Sequence, residues 1–157
     1  MLGGDEAAVE PGGESAYGDC FGGFGEGDSA GSEALLIVND PEALAELRAL
    51  YPEYERALVE NDVETLTRMF WASPLASRFG VGENLYGVEE IEAFRKARAS
   101  VGLAREVVRL EIVAFGRDFG SVTLEFARGS VRGRQTQVWV RFDEGWKIVS
   151  AHVSLLP

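Results

Sequence analysis

The chain has 157 residues, 46% of them hydrophobic and 26% charged, which is one ordinary globular domain's worth of sequence with enough length for a sizeable core. Its net charge of −11 opposes nucleic-acid binding through phosphate contacts, and no apolar run approaches the roughly 20 residues of a membrane span, so neither nucleic acid nor membrane is an expected partner. A lone cysteine, Cys20, permits neither an intramolecular disulfide nor a cysteine-based metal site, and the start of the chain has no basic-then-apolar leader, so a cytoplasmic location is expected.

The charge is unevenly spread. Residues 1–40 hold nine acids and no Lys or Arg, and the remainder is nearly balanced. Residues 1–34 crowd glycine between acids, Ser and Ala, a composition that predicts a disordered tail. Tyr17, Phe21 and Phe24 are its only aromatic anchors, and a start codon assigned too far upstream is the alternative explanation. The folded domain is expected over 35–157.

Asp40-Pro41-Glu42 is a helix start, with Asp as N-cap and Pro at the first helical position. Leu44, Leu47, Tyr51, Tyr54 and Leu58 carry the helix to about Glu60, and Pro52 is expected to kink it or break it in two. Asp62 caps a second helix with Val63, Leu66, Met69 and Phe70 inside, ended by Ser73-Pro74. Ser77 to Gly87 reads as a tight hairpin hinged on Gly80 and Gly82. It carries Arg78, Glu83 and Asn84, more polar groups than packing requires. A third helix spans Val88–Ala99 with Ile91 and Phe94 inside; Arg95 and Arg98 read as solvated or paired with Glu92, with Arg95 at the edge of the pocket as the alternative. Strands follow at Arg105–Ala114, Phe119–Ala127, Val131–Phe142 and Trp146–Leu155. Helices first and a bent antiparallel meander after give an α+β fold, with three helices on one face of a strongly curved sheet. The mouth of such a cone is a natural ligand site.

Several side chains have a chemical and a structural reading. The Arg78 fork either holds a ligand carboxylate or pairs with Glu83 across the hairpin. Tyr54 is either a core tyrosine or an acid–base group activated by a nearby cation. Glu83 and Asn84 either orient a ligand or, for Asn84, satisfy the turn backbone. Trp71 is a pocket wall or a core residue. Gln135 and Gln137 share a strand face with Trp139, as a polar pocket floor or a dimer interface. His152, the only histidine, falls on that same face if the Asp143-Glu144 turn has two loop residues, and on the other if Gly145 is a bulge. No metal-ligand cluster, phosphate loop or nucleophile elbow is present in the sequence, so neither a metal nor a cofactor is expected.

The ending Gly145-Trp146-Lys147-Ile148-Val149-Ser150-Ala151-His152-Val153-Ser154, after that order of elements, resembles the SnoaL-like branch of the nuclear-transport-factor-2-like superfamily. Four pieces are similar to its AtzH-like group: Tyr54 with Glu60-Asn61-Asp62-Val63; Phe70-Trp71; Arg78-Phe79-Gly80 through Glu83-Asn84-Leu85-Tyr86-Gly87 to Phe94-Arg95; and Gly133-Arg134-Gln135-Thr136-Gln137-Val138-Trp139. The resemblance covers roughly Pro41 to Leu155. It implies the cone-shaped fold, a homodimer joined through the sheet, and a metal-independent, decarboxylating amidohydrolase like the one that turns 1,3-dicarboxyurea into allophanate. Tyr54 and Arg78 match the family's catalytic pair. Trp71, Glu83, Asn84, Gln137 and His152 are the candidate substrate-binding residues around a small anion. The alternatives are another SnoaL-like enzyme of isomerase or dehydratase type, or a non-catalytic homodimer that binds a small ligand.

Overall fold

A computed structural model describes residues 35–157; the tail expected at 1–34, with Cys20 and its aromatic residues, lies outside the described residues. Helix α1 spans Pro41–Glu60. Its N-cap Asp40 accepts hydrogen bonds from the backbone N–H groups of Glu42 and Ala43, as the sequence predicts. The helix runs through Pro52 without a break. Pro52 and Arg48, whose carbonyl loses its helical donor, are both exposed, so the lost bond falls on the side of the helix open to solvent. On the opposite face Leu47, Tyr51, Tyr54 and Leu58 are buried, and that packing outweighs the local preference.

Asn61 ends α1 in the left-handed conformation, with φ 54°. Helix α2 then spans Val63–Met69, with Asp62 accepting from the Thr65 N–H. It stops before Ser73-Pro74, because Phe70 turns extended and bridges to Ile148. Strands β1 (Ser77–Phe79) and β2 (Asn84–Tyr86) form the expected hairpin, and helix α3 spans Gly87–Ala97. The meander follows as β3 (Glu106–Phe115), β4 (Phe119–Arg128), β5 (Val131–Phe142) and β6 (Gly145–Leu155). No helix among the described residues is long and apolar enough to cross a membrane.

The strands form one sheet in the order β2-β1-β6-β5-β4-β3. All pairs are antiparallel except β1 with β6, which is parallel, so the sheet is mixed. Bulges interrupt β3 at Val108 and β6 at Val149, where the register skips one residue. Such insertions bend a strand and increase its twist. The helices pack on one face of this sheet, against Val122, Leu124 and Phe126 of β4, Trp139 of β5, and Ile148 and Ala151 of β6. The architecture is the α+β cone that the order of elements predicts.

Candidate functional site

The hairpin is closed by a hydrogen bond from the Gly80 N–H to the Glu83 carbonyl. Arg78, central in β1, is buried between Leu85 of β2 and Ala151 of β6 in the sheet. Its Nη1 donates to Glu83 Oε1 at 2.5 Å, and its guanidinium lies 5.0 Å from the centre of the Phe94 ring on α3. Glu83 folds back over the loop and also accepts from the Gly82 N–H. Only glycine allows this at position 80, where a Cβ would sit 1.8 Å from Glu83 Oε1.

Arg78 and Glu83 line a cavity of about 310 Å³ inside the cone. Tyr54 and Leu58 of α1, Arg98 just after α3, Arg105 just before β3, Phe126 and Arg128 of β4 and Gln135 of β5 complete most of its wall. Four arginines and one carboxylate thus line the cavity. In a chain of net charge −11 this is a local reversal of sign. The crowding has an electrostatic consequence. Burial, then the like charges of Arg95, Arg78 and Arg128, push the Arg98 pKa below the ordinary arginine value.

Arg105 is held in place by a buried network. Its Nε and Nη2 meet both oxygens of Glu55 at 2.7 Å, and its Nη1 donates to Gln135 Oε1 at 3.1 Å. Burial pulls its pKa down, but the hydrogen bonds and charge of Glu55 outweigh burial and the net shift is upward. Glu55 also accepts from the Tyr51 hydroxyl. The Arg105 guanidinium lies 4.7 Å from the Phe126 ring centre, and Arg128 approaches the same ring at 6.0 Å. That platform needs Gly133, directly opposite Phe126 in the sheet, because a Cβ there would stand 2.2 Å from the ring.

Tyr54 is buried, with its ring edge-on to Trp139 at 6.5 Å. Gln137 lies wholly buried beside them and accepts from Trp139 Nε1. Behind this wall, Arg95 is also completely buried. The expectation that Arg95 is solvated or paired with Glu92 is corrected here; Glu92 pairs with Lys96 instead. Gly87, Ile91 and Arg95 are the buried residues of α3, spaced four apart, so helical periodicity carried the signal that places Arg95 inside.

The structure brings Tyr54, Arg78 and Glu83 to one cavity and leaves other candidates elsewhere. Trp71 stacks on Phe142 at 5.5 Å, away from the cavity, because its backbone N–H is drawn to the Ile148 carbonyl. Asn84 is exposed in β2, at the pairing position of Phe79. His152 is exposed and pairs opposite Thr136, on the sheet face turned away from Gln135 and Gln137. The Asp143-Glu144 turn does have two loop residues, since Phe142 pairs with Gly145, but the Val149 bulge then reverses the face. Gln137 shares the inner face with Gln135, while only Gln135 lines the cavity itself. Arg98, expected to be solvated or paired with Glu92, is half-buried on the cavity wall, and with Arg105 and Arg128 it sits at the end of an element, where spacing says nothing of direction. Among the described residues no three His, Cys, Asp or Glu side chains gather as a metal site requires.

A family model described as AtzH-like matches residues 36–157. A crystal structure of a protein of unknown function from Pectobacterium atrosepticum is 47% identical, over 76% of this chain and 95% of that one, with a TM-score of 0.75. A cystatin-like fold protein from Burkholderia xenovorans is 42% identical over 78% of this chain and 99% of that one, with a TM-score of 0.73. A nuclear transport factor 2-like superfamily protein from Salmonella enterica, 17% identical over 74% of this chain and 92% of that one, has a TM-score of 0.63 and shares the fold. A search of curated proteins returned no match.

Proposed function

The chain belongs to the AtzH-like family, and on that premise we propose that it is a small decarboxylating amidohydrolase acting on a carboxylated urea or a similar small anion. The observation that carries this reading is the cavity of about 310 Å³ with four arginines, one carboxylate and Tyr54 on its wall. A volume at the low end for ligand pockets, crowded by cations, favours a small acid over the wide apolar ring compound that an isomerase or dehydratase of this fold would hold.

In this reading Arg78 grips the ligand carboxylate that is retained, and the cationic wall stabilises the negative charge that passes from the departing carboxylate to the urea nitrogen and carbonyl. Tyr54 gives its hydroxyl proton to the carbamate nitrogen. The nitrogen–carboxyl bond breaks, its electron pair stays on nitrogen, and the carboxylate leaves as carbon dioxide. Water returns the proton to Tyr54, and the hydroxide left behind is taken up by carbon dioxide as bicarbonate. The step calls for a proton donor and a cationic wall, and side chains of this protein provide both. Removing one such buried donor is worth roughly 10²–10³ in rate. The test is carbon dioxide release from 1,3-dicarboxyurea by the wild type, Tyr54→Phe and Arg78→Lys. Turnover reduced at least 100-fold in both variants is expected. A wild type without turnover, or variants with full activity, would sink the reading.

The same reading carries a homodimer through the outer face of the sheet, where Thr123, Glu125, Arg134 and Thr136 are exposed side by side. Light scattering is expected to give twice 17.1 kDa; a mass of one chain at micromolar concentration would remove it.

A further inference from the structure

Arg95 is a buried cation without a counter-ion. Its side chain is wholly buried, and none of Nε, Nη1 and Nη2 has a hydrogen-bond partner among the described residues. The Phe70 ring lies 6.0 Å from its guanidinium carbon. Burial pushes its pKa down; Tyr54 pulls the other way, by charge and as a neighbour whose hydroxyl is near but not aligned for a hydrogen bond, the like charge of Arg78 adds to burial, and Glu83 opposes it. An arginine keeps its proton in a protein, so the charge remains. Glu83, the one carboxylate on the cavity wall, is already committed to Arg78 at 2.5 Å. The position of Arg95 is not accidental slack: the Asn61 amide, at the end of α1, donates to the Arg95 carbonyl and ties that turn of α3 in place.

Two further donors are orphaned nearby on the sheet. Gln135 Nε2 and Gln137 Nε2 are buried and lack partners among the described residues. The orientation of both amides is determined by what their oxygens accept, Arg105 Nη1 for Gln135 and Trp139 Nε1 for Gln137. Their NH₂ groups are therefore the free ends. They stand two residues apart on one strand face, roughly 7 Å along it, and Trp139 from the same face meets Tyr54. A guanidinium and two amide NH₂ groups have in common that all donate and none accepts.

We propose that Arg95 is the buried counter-charge of the cavity, left unpaired by the protein's own side chains at the expense of fold stability. An acidic group of the ligand, entering beside Tyr54, compensates it, while the NH₂ group of Gln135, on the cavity wall, receives an acceptor oxygen of the ligand. The ligand class is a small acid with at least two acceptor groups, a carboxylate and a carbonyl or second carboxylate. The inference rests on the anionic-ligand reading above and adds to it a residue that acts without touching the ligand. With no exposed atom, Arg95 works through its field, as a positioning residue.

The two readings of such a residue predict opposite stabilities. A structural arginine makes contacts whose removal destabilises. An uncompensated buried charge is replaced by an apolar side chain of similar length with a gain. The experiment is thermal unfolding of the wild type, Arg95→Met and Arg95→Lys, in sodium malonate and in sodium chloride of equal ionic strength. In chloride, Arg95→Met is expected to melt about 4 °C or more above the wild type. The malonate-specific rise in melting temperature shown by the wild type is expected to vanish in Arg95→Met and to persist in part in Arg95→Lys. Arg95→Met melting below the wild type, or failing to fold, overturns the proposal and makes Arg95 a structural strut. Arg95→Met that is stabilised but keeps the full malonate rise also overturns it, since the charge is then not coupled to the ligand. A wild type with no malonate-specific rise overturns the anionic-ligand reading itself, and this proposal with it.

Discussion

Glu83 occupies the Arg78 guanidinium from within the same hairpin, with Oε1 and Nη1 2.5 Å apart and both side chains on the cavity wall. A ligand carboxylate that approaches Arg78 therefore competes with an internal one. Glu83→Gln is expected to tighten malonate binding roughly 3- to 10-fold, on the order of 1 kcal/mol, read by calorimetry. Gly80→Ala is expected to act in the same direction, because its Cβ would sit 1.8 Å from Glu83 Oε1 and displace that flexible carboxylate. Unchanged or weaker affinity in Glu83→Gln would show that the pair and the ligand do not compete.

Glu55 neutralises Arg105, whose side chain is 2% exposed, through two bonds of 2.7 Å. Glu55→Gln leaves a buried guanidinium without its counter-ion. The expected loss is about 3–5 kcal/mol in a urea titration. A loss of under about 1 kcal/mol would mean that the Gln amide and Gln135 suffice to hold Arg105.

Stability is expected to fall at both ends of the pH range, for identifiable reasons. Burial, reinforced by Glu55, raises the Tyr51 pKa far above its ordinary value. The folded state keeps a proton that the unfolded chain releases from about pH 10. The contribution is complete below pH 10 and declines as pH rises beyond it. At the acid end, the Thr65 N–H and then Arg56 hold the Asp62 pKa below the usual carboxylate range. That contribution is present above about pH 4 and is lost as pH falls through the lowered value. Melting temperatures of Tyr51→Phe above pH 10 and of Asp62→Asn below pH 4 are expected to vary less steeply than those of the wild type. Equal slopes would remove these assignments.

Phe126 lies over Gly133, and both Arg105 and Arg128 lie against its ring. Gly133→Ala forces the ring away and disturbs both cations together. A loss of about 1–3 kcal/mol is expected on denaturation, with weaker malonate binding. Retained affinity would show that the platform does not position the arginines.

Much of the fold is legible in the chain itself. Asp40 and Asp62 announce their helices, the hairpin and the four long strands lie within a residue or two of their predicted limits, and the apolar spacing of α1 identifies its buried face. Pro52 misleads because a rule about backbone hydrogen bonds is local, while the apolar face that holds α1 together is tertiary. Arg95 misleads differently. Its four-residue spacing from Ile91 points inward, but charge argues for solvent, and in α3 the spacing prevails.

What the sequence determined by itself was the kind and order of the elements and the family resemblance, because capping, turn chemistry and periodicity act within a few residues of one another. What only the tertiary structure decided was which faces and which charges meet. The parallel pairing of β1 with β6 sets Arg78 beside Ala151, 73 positions away, and one extra residue at Val149 turns His152 to the outside. Arg98, Arg105 and Arg128 come from three element ends and become one cationic wall only when the sheet closes around them. Register and long-range pairing depend on the whole packed cone, and no stretch of the sequence contains that information alone.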